Sequence, residues 1–186
     1  MVFKTKERCI PSSLHPPIRR TFEGDGKRTD GGEEVMSTNA RIGKLLPDGT
    51  IKHIYAHFDG YVEGGVGETL VDHYNDVDVI NELLSLGDLS VLGSSIHPKG
   101  EHSFDNREHG VCVFYGRDRG ETEIQAKHST MDEFLDDQCI PYFYLFEGKN
   151  WWVKSIYSDY TEWKLVKEFL STYILTKEDY ACNIEM

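Results

Sequence analysis

A membrane-spanning stretch is missing from this 186-residue chain. No run of 18 apolar residues occurs, and the N-terminus has no apolar core of the kind that targets a chain for secretion. Both absences favour a cytoplasmic protein. Cysteine is scarce: Cys9, Cys112, Cys139 and Cys182 lie far apart with no CxxC pair. That spacing argues against a zinc site and makes free thiols in a reducing compartment the expectation. Basic residues are in deficit, 20 Lys and Arg against 32 Asp and Glu, a formal net charge of −12. Such a surface repels phosphate backbones, so general nucleic-acid binding is disfavoured. Catalytic signatures are absent as well. There is no GxSxG serine, no helical HxxxH pair and no Walker-type lysine beside the glycines.

What is present suits a single domain, with 39% apolar and 12% aromatic residues and enough length to bury a core. Residues 1–35 stand apart. They hold Pro11, Pro16, Pro17, four glycines, seven Lys or Arg and six Asp or Glu, with no period of 2 or 3.6, the pattern of a disordered leader. Gly31-Gly32-Glu33-Glu34-Val35 before Met36 is encodable as a purine-rich ribosome-binding sequence, so the expected division is a leader over 1–35, with translation starting at Met36, and one domain over 36–186.

From Asn39 onward the pattern is regular. Ala40 to Leu46, the turn Pro47-Asp48-Gly49 and Thr50 to Phe58 predict a hairpin, with Ile54, Ala56 and Phe58 on its core face. Helices are predicted from about Val66 to Tyr74, and after a cap at Asn75 or Asp76 along the stripe Val77, Ile80, Leu84, stopped by Gly87. Asp88 to Leu92 reads as one further turn, and Ser94 to His109 as a polar loop. Val111 to Tyr115 reads as a central strand running into Arg117-Asp118-Arg119. Met131 to Asp137 reads as a short acidic helix anchored by Phe134 and Leu135. Tyr142 to Phe146 and Trp151 to Tyr157 predict a second hairpin, and Thr161 to Tyr173 a last helix with Trp163, Val166, Leu170 and Tyr173 as its stripe. The sum is α+β: an antiparallel sheet of about five strands, two hairpins and a central strand, with three or four short helices on one face.

Several separated motifs recur together in order. They are Met36-Ser37-Thr38-Asn39-Ala40-Arg41-Ile42-Gly43, Ile54-Tyr55-Ala56-His57-Phe58-Asp59-Gly60-Tyr61, Gly65-Val66-Gly67-Glu68-Thr69-Leu70, Leu86-Gly87-Asp88-Leu89-Ser90-Val91-Leu92-Gly93 and Tyr115-Gly116-Arg117-Asp118-Arg119-Gly120-Glu121. In these the chain resembles a family of small phage and prophage proteins over residues 36–157, departing from it at Phe58 and in the doubled Gly64-Gly65. The resemblance implies a phage-encoded accessory protein of the bacterial host's cytoplasm, beginning at Met36.

Three constellations carry candidate chemistry. His57 and Asp59 at the strand end converge in principle with His73, but His53 and His57 stand about 13 Å apart along a strand and share no metal. No metal and no cofactor is expected. The bend Asp59 to Gly67, with Gly60 and Gly67 among its glycines, can present N–H groups to an anion, although Glu63 and Glu68 oppose one. Arg117 and Arg119, if extended, face one side about 7 Å apart and suit an anion or an acidic partner. The expected ligand surface is therefore Tyr55, His57, Asp59, Gly60, Tyr61, Gly67, His73, Arg117 and Arg119. The leading expectation is a non-enzymatic module that binds a host protein or a small anionic signalling ligand. The alternatives are a nucleotide-handling enzyme using His57, Asp59, His73, Arg117 and Arg119, and an acidic DNA mimic with rows of carboxylates.

Overall fold

A computed structural model of the chain describes residues 38–156 and 161–172. The expectations attached to residues 1–35, to the Met36 start and to Tyr173 lie outside them. In chain order the elements are β1 (Ala40–Leu45), β2 (Ile51–Ala56), α1 (Val66–His73), α2 (Val77–Ser85), β3 (Leu89–Val91), β4 (Val113–Phe114), α3 (Tyr115–Arg119), β5 (Lys127–Ser129), α4 (Met131–Leu135), β6 (Tyr142–Glu147), β7 (Asn150–Ser155) and β8 (Lys164–Leu165). Residues 166–172 form a further helix, α5.

The class is α+β, but the sheet is larger than expected and mixed. Its order is β4-β3-β2-β1-β6-β7-β8, with β5 against part of β2. Both expected hairpins form, β1 with β2 and β6 with β7. The pairs β1–β6 and β2–β3 run parallel. The second parallel pair follows from α1 and α2, since a crossover through helices returns the chain in the same direction, which a tight turn cannot do. Asp76 caps α2 by accepting from the Asp78 and Val79 N–H groups. Gly87 ends it at φ 83, where an added Cβ would also collide with the Ile124 carbonyl.

Two local expectations are corrected here. Asp88 to Leu92 is not another helical turn: released by Gly87, it extends as β3, and its Leu89 and Ser90 carbonyls accept from the His57 and Phe58 N–H groups. The segment Val111 to Tyr115 is not a central strand. It pairs only briefly, at the end of the sheet order, because the Asp118 carboxylate accepts the Phe114 N–H and winds residues 115–119 into α3.

The helices cover both faces, not one. Even-numbered β2 residues Ile54 and Ala56 join a core with Leu70, Ile80, Leu83 and Leu84 of α1 and α2, and with Tyr144, Phe146, Trp151 and Val153, whereas Phe58, expected with them, lies past the strand's end and is half-buried outside that core. Odd-numbered Ile51 joins a second core with Phe134 of α4, Ile140, Phe143 and Leu145. The last helix also starts later than its stripe implied, at residue 166. Trp163 precedes it, beside β8, and packs on the α4 side, whereas Val166 is fully buried and Leu170 partly buried on the opposite side. Cys112 is a free, buried thiol, whereas Cys139 is disulfide-bonded, against the expectation of free thiols throughout. No helix among the described residues is long and apolar enough to cross a membrane.

Candidate functional site

The half-exposed end of β2 holds the first part of the expected surface. Asn39 Nδ2 donates to the Tyr55 phenol at 3.1 Å, and that oxygen lies 2.9 Å from His57 Nδ1. The other imidazole nitrogen takes no hydrogen-bond partner among the described residues, and the ring stands edge-on to Phe58 at 4.4 Å. The backbone N–H of Tyr55 donates to Asp88 Oδ1 at 2.7 Å. Burial raises the Tyr55 phenol above its ordinary pKa, opposed by the hydrogen bond from Asn39. It therefore stays protonated at neutral pH and works here as a hydrogen-bonding group rather than a charge.

Asp59 follows in the left-handed region at φ 57, one of two described non-glycine residues there. Its carbonyl accepts the Val66 N–H, which turns β2 into α1, and partial burial raises its carboxyl above the usual range. The glycine bend beyond it is filled by its own backbone. A Cβ on Gly60 would meet the Asn39 carbonyl, one on Gly65 the Asp59 carbonyl, and one on Gly67 the backbone of Val62. The Tyr144 phenol, fully buried, donates to the Gly60 carbonyl at 2.8 Å and ties the bend to β6. The glycines thus permit close backbone packing, and the bend offers no open cradle for an anion. Tyr61 lies half-buried against Tyr142, with ring centroids 6.4 Å apart.

The two arginines do not sit as an extended pair, because both belong to the single turn of α3. Arg117 is turned inward: it donates to the Ile96 carbonyl at 2.5 Å and the Cys112 carbonyl at 2.6 Å, and grips Asp118 at 2.6 and 2.8 Å. Burial works against the Asp118 carboxylate, but Arg117 and the Phe114 N–H hold its pKa below the ordinary value. Nearby, His102 is buried, with Nδ1 accepting the Glu108 N–H at 3.0 Å and Nε2 lying 3.3 Å from Asp118. Arg119 remains outside, 3.0 Å from Glu121. The structure therefore joins Tyr55 and His57, continues to Asp59, and assigns Arg117 to an internal ion-pair network. His73 is exposed in the last turn of α1, with no contact to His57 among those described.

Two features escaped the motif reading. Residues 53–98 carry eight carboxylates and no Lys or Arg, and the outward positions of α1 and α2 take Glu68, Asp72, Asp76 and Asp78 from that run. A count of charges along the chain would have found it. The second is Phe104, whose ring gathers Arg107, Arg119 and Tyr115. No periodicity announces that contact. Among the described residues no group of three or more His, Cys, Asp or Glu is placed to hold a metal. A cavity of about 170 Å³ lined by Leu135, Phe143, Lys154, Ser155, Ile156 and Thr161 shares no residue with the expected surface.

No protein-family profile matches the chain, and no curated protein and no solved structure matches it at a significant level.

Proposed function

We propose that this chain is a phage-encoded accessory protein that acts as a binding module, docking a host protein at the end of β2. One observation carries the reading: Asn39, Tyr55 and His57 form a hydrogen-bonded chain at a half-exposed strand end, with no salt bridge consumed in holding it. Side chains fixed in this way contribute contact area with little ordering cost, the property that favours tyrosine at interfaces. Phe58 and Tyr61 extend the patch along the chain. The uninterrupted acidity of residues 53–98 favours a partner with a basic rim, because opposite fields speed encounter and set orientation. The phage origin rests on the motif resemblance.

A small anionic ligand at this place loses support, because Arg117 is committed to Asp118 and the glycine bend is closed. The enzyme alternative needs Arg117 beside His57 and loses support for the same reason. The test is affinity capture from a bacterial lysate with the wild-type chain and with a His57→Ala, Tyr61→Ala double variant of matched thermal midpoint. A protein retained by the wild type, released as salt rises and lost with the double variant is the expected result. Equal retention by both chains removes this reading.

A further inference from the structure

Phe104 carries two cations. The guanidinium carbon of Arg107 lies 4.9 Å from its ring centroid and that of Arg119 lies 4.8 Å from it, so the two are within about 10 Å of each other, the sum of those distances. Tyr115 stacks on the same ring at 6.1 Å, which seats the loop bearing Phe104 against α3. The arrangement is braced from within. The Phe104 N–H donates to the Asp118 carbonyl, and Arg117 bolts α3 to the Ile96 and Cys112 carbonyls.

Over residues 99–121 four Lys or Arg face five Asp or Glu, so what sets Arg107 and Arg119 apart is how the carboxylates are paired, not an excess of cations. Arg107 uses Nε on the Phe104 carbonyl at 2.9 Å, while its terminal nitrogens take no partner among the described residues. Carboxylates that would neutralise the pair are engaged elsewhere. Asp118 is held by Arg117, and Glu108 accepts the Lys99 and Gly100 N–H groups. Glu101 and Asp105, on the same loop, make no ion pair with either arginine. Among the described residues Glu121 alone bonds one of them. Two guanidiniums sharing a ring repel each other, and an anion bridging them relieves that repulsion.

We infer that Arg107 and Arg119, both held against the Phe104 ring, form a clamp for a diphosphate group. Planar guanidinium forks match phosphate oxygens two at a time, and a pair of forks engages two linked phosphates better than one. The surrounding field, from a chain of net charge −12, repels extended polyanions and leaves a compact anion as the ligand that fits. The group is supplied equally well by free pyrophosphate or by a nucleoside diphosphate. This proposal stands on different residues from the docking surface at β2.

The experiment is calorimetric titration of the full chain at low ionic strength with pyrophosphate, with orthophosphate and ADP as further arms. Saturable pyrophosphate binding is expected, with orthophosphate roughly tenfold weaker. ADP tighter than pyrophosphate identifies the nucleotide as the source, and equal affinity identifies the free diphosphate. Arg107→Gln and Arg119→Gln should each weaken pyrophosphate roughly tenfold, whereas Glu121→Gln should strengthen it by removing a competing carboxylate. Lys149→Gln, a distant charge change in the β6–β7 turn, should have no effect. The clamp is overturned if the wild-type chain binds neither pyrophosphate nor ADP, or if orthophosphate binds equally well. It is likewise overturned if Lys149→Gln weakens binding as much as Arg107→Gln. Should an arginine variant fail to fold, an unchanged affinity in Glu121→Gln overturns it independently.

Discussion

His53 shows how much one position on β2 contributes. It lies on the α4 side, 6% exposed and edge-on to Phe134 at 5.2 Å. Burial, with the positive charge of Arg41, Lys127 and His128 adding to it, lowers its pKa from 6.5 to about 4. The unfolded chain accordingly takes up a proton near pH 6.5, and the folded chain resists until about pH 4. The stability held by neutral His53 is complete above the unfolded value and is lost as pH falls through this window, by an amount of order 3 kcal/mol. The same window should be flatter in a His53→Leu variant. Urea unfolding of both chains at neutral pH and near pH 4.5 decides it, and equal losses would place the pH dependence elsewhere. A strand pattern that sends odd-numbered residues away from Ile54 was legible. That those residues are buried as well was not, because the covering ring comes from Phe134, 81 positions further on.

At the scale of the element, α4 shows how a five-residue helix survives. So short a helix cannot meet its nucleation cost from its own hydrogen bonds. Thr130 and Glu133 close a reciprocal capping box at its start, and Arg41 donates to the Glu133 and Phe134 carbonyls at its end. Phe134 then fills the second core with no exposed surface. Phe134→Ala should cost about 3–5 kcal/mol, and Thr130→Ala about 1 kcal/mol. Chemical denaturation checks both, and a loss under about 1 kcal/mol for Phe134→Ala would make α4 peripheral to the fold. The sequence announced this helix through Phe134 and Leu135. It misled at α3, where an apolar run into Arg117-Asp118-Arg119 read as continuous strand. The Asp118 side chain reaching back to the Phe114 N–H is a local bond, but it competes with strand pairing only because β4 has a single, short neighbour.

Across the whole molecule, the net charge of −12 works against compactness. Raising sodium chloride from about 0.05 to about 0.5 M shortens the screening length several-fold, so the thermal midpoint should rise by a few degrees. A midpoint that falls instead would mean that ion pairs such as Arg41–Asp137 outweigh the repulsion. The α+β class, both hairpins, the two helices after the glycine bend and the acidic character follow from the sequence alone. Each depends on contacts between near neighbours: a turn glycine, a cap, an alternation of side chains, a stripe. The parallel pairing of β1 with β6, the burial of β2 on both faces, the inward turn of Arg117 and the meeting of Arg107 with Arg119 over Phe104 were decided by the tertiary structure. These depend on which distant segments share a space, and no period or spacing within one segment encodes that.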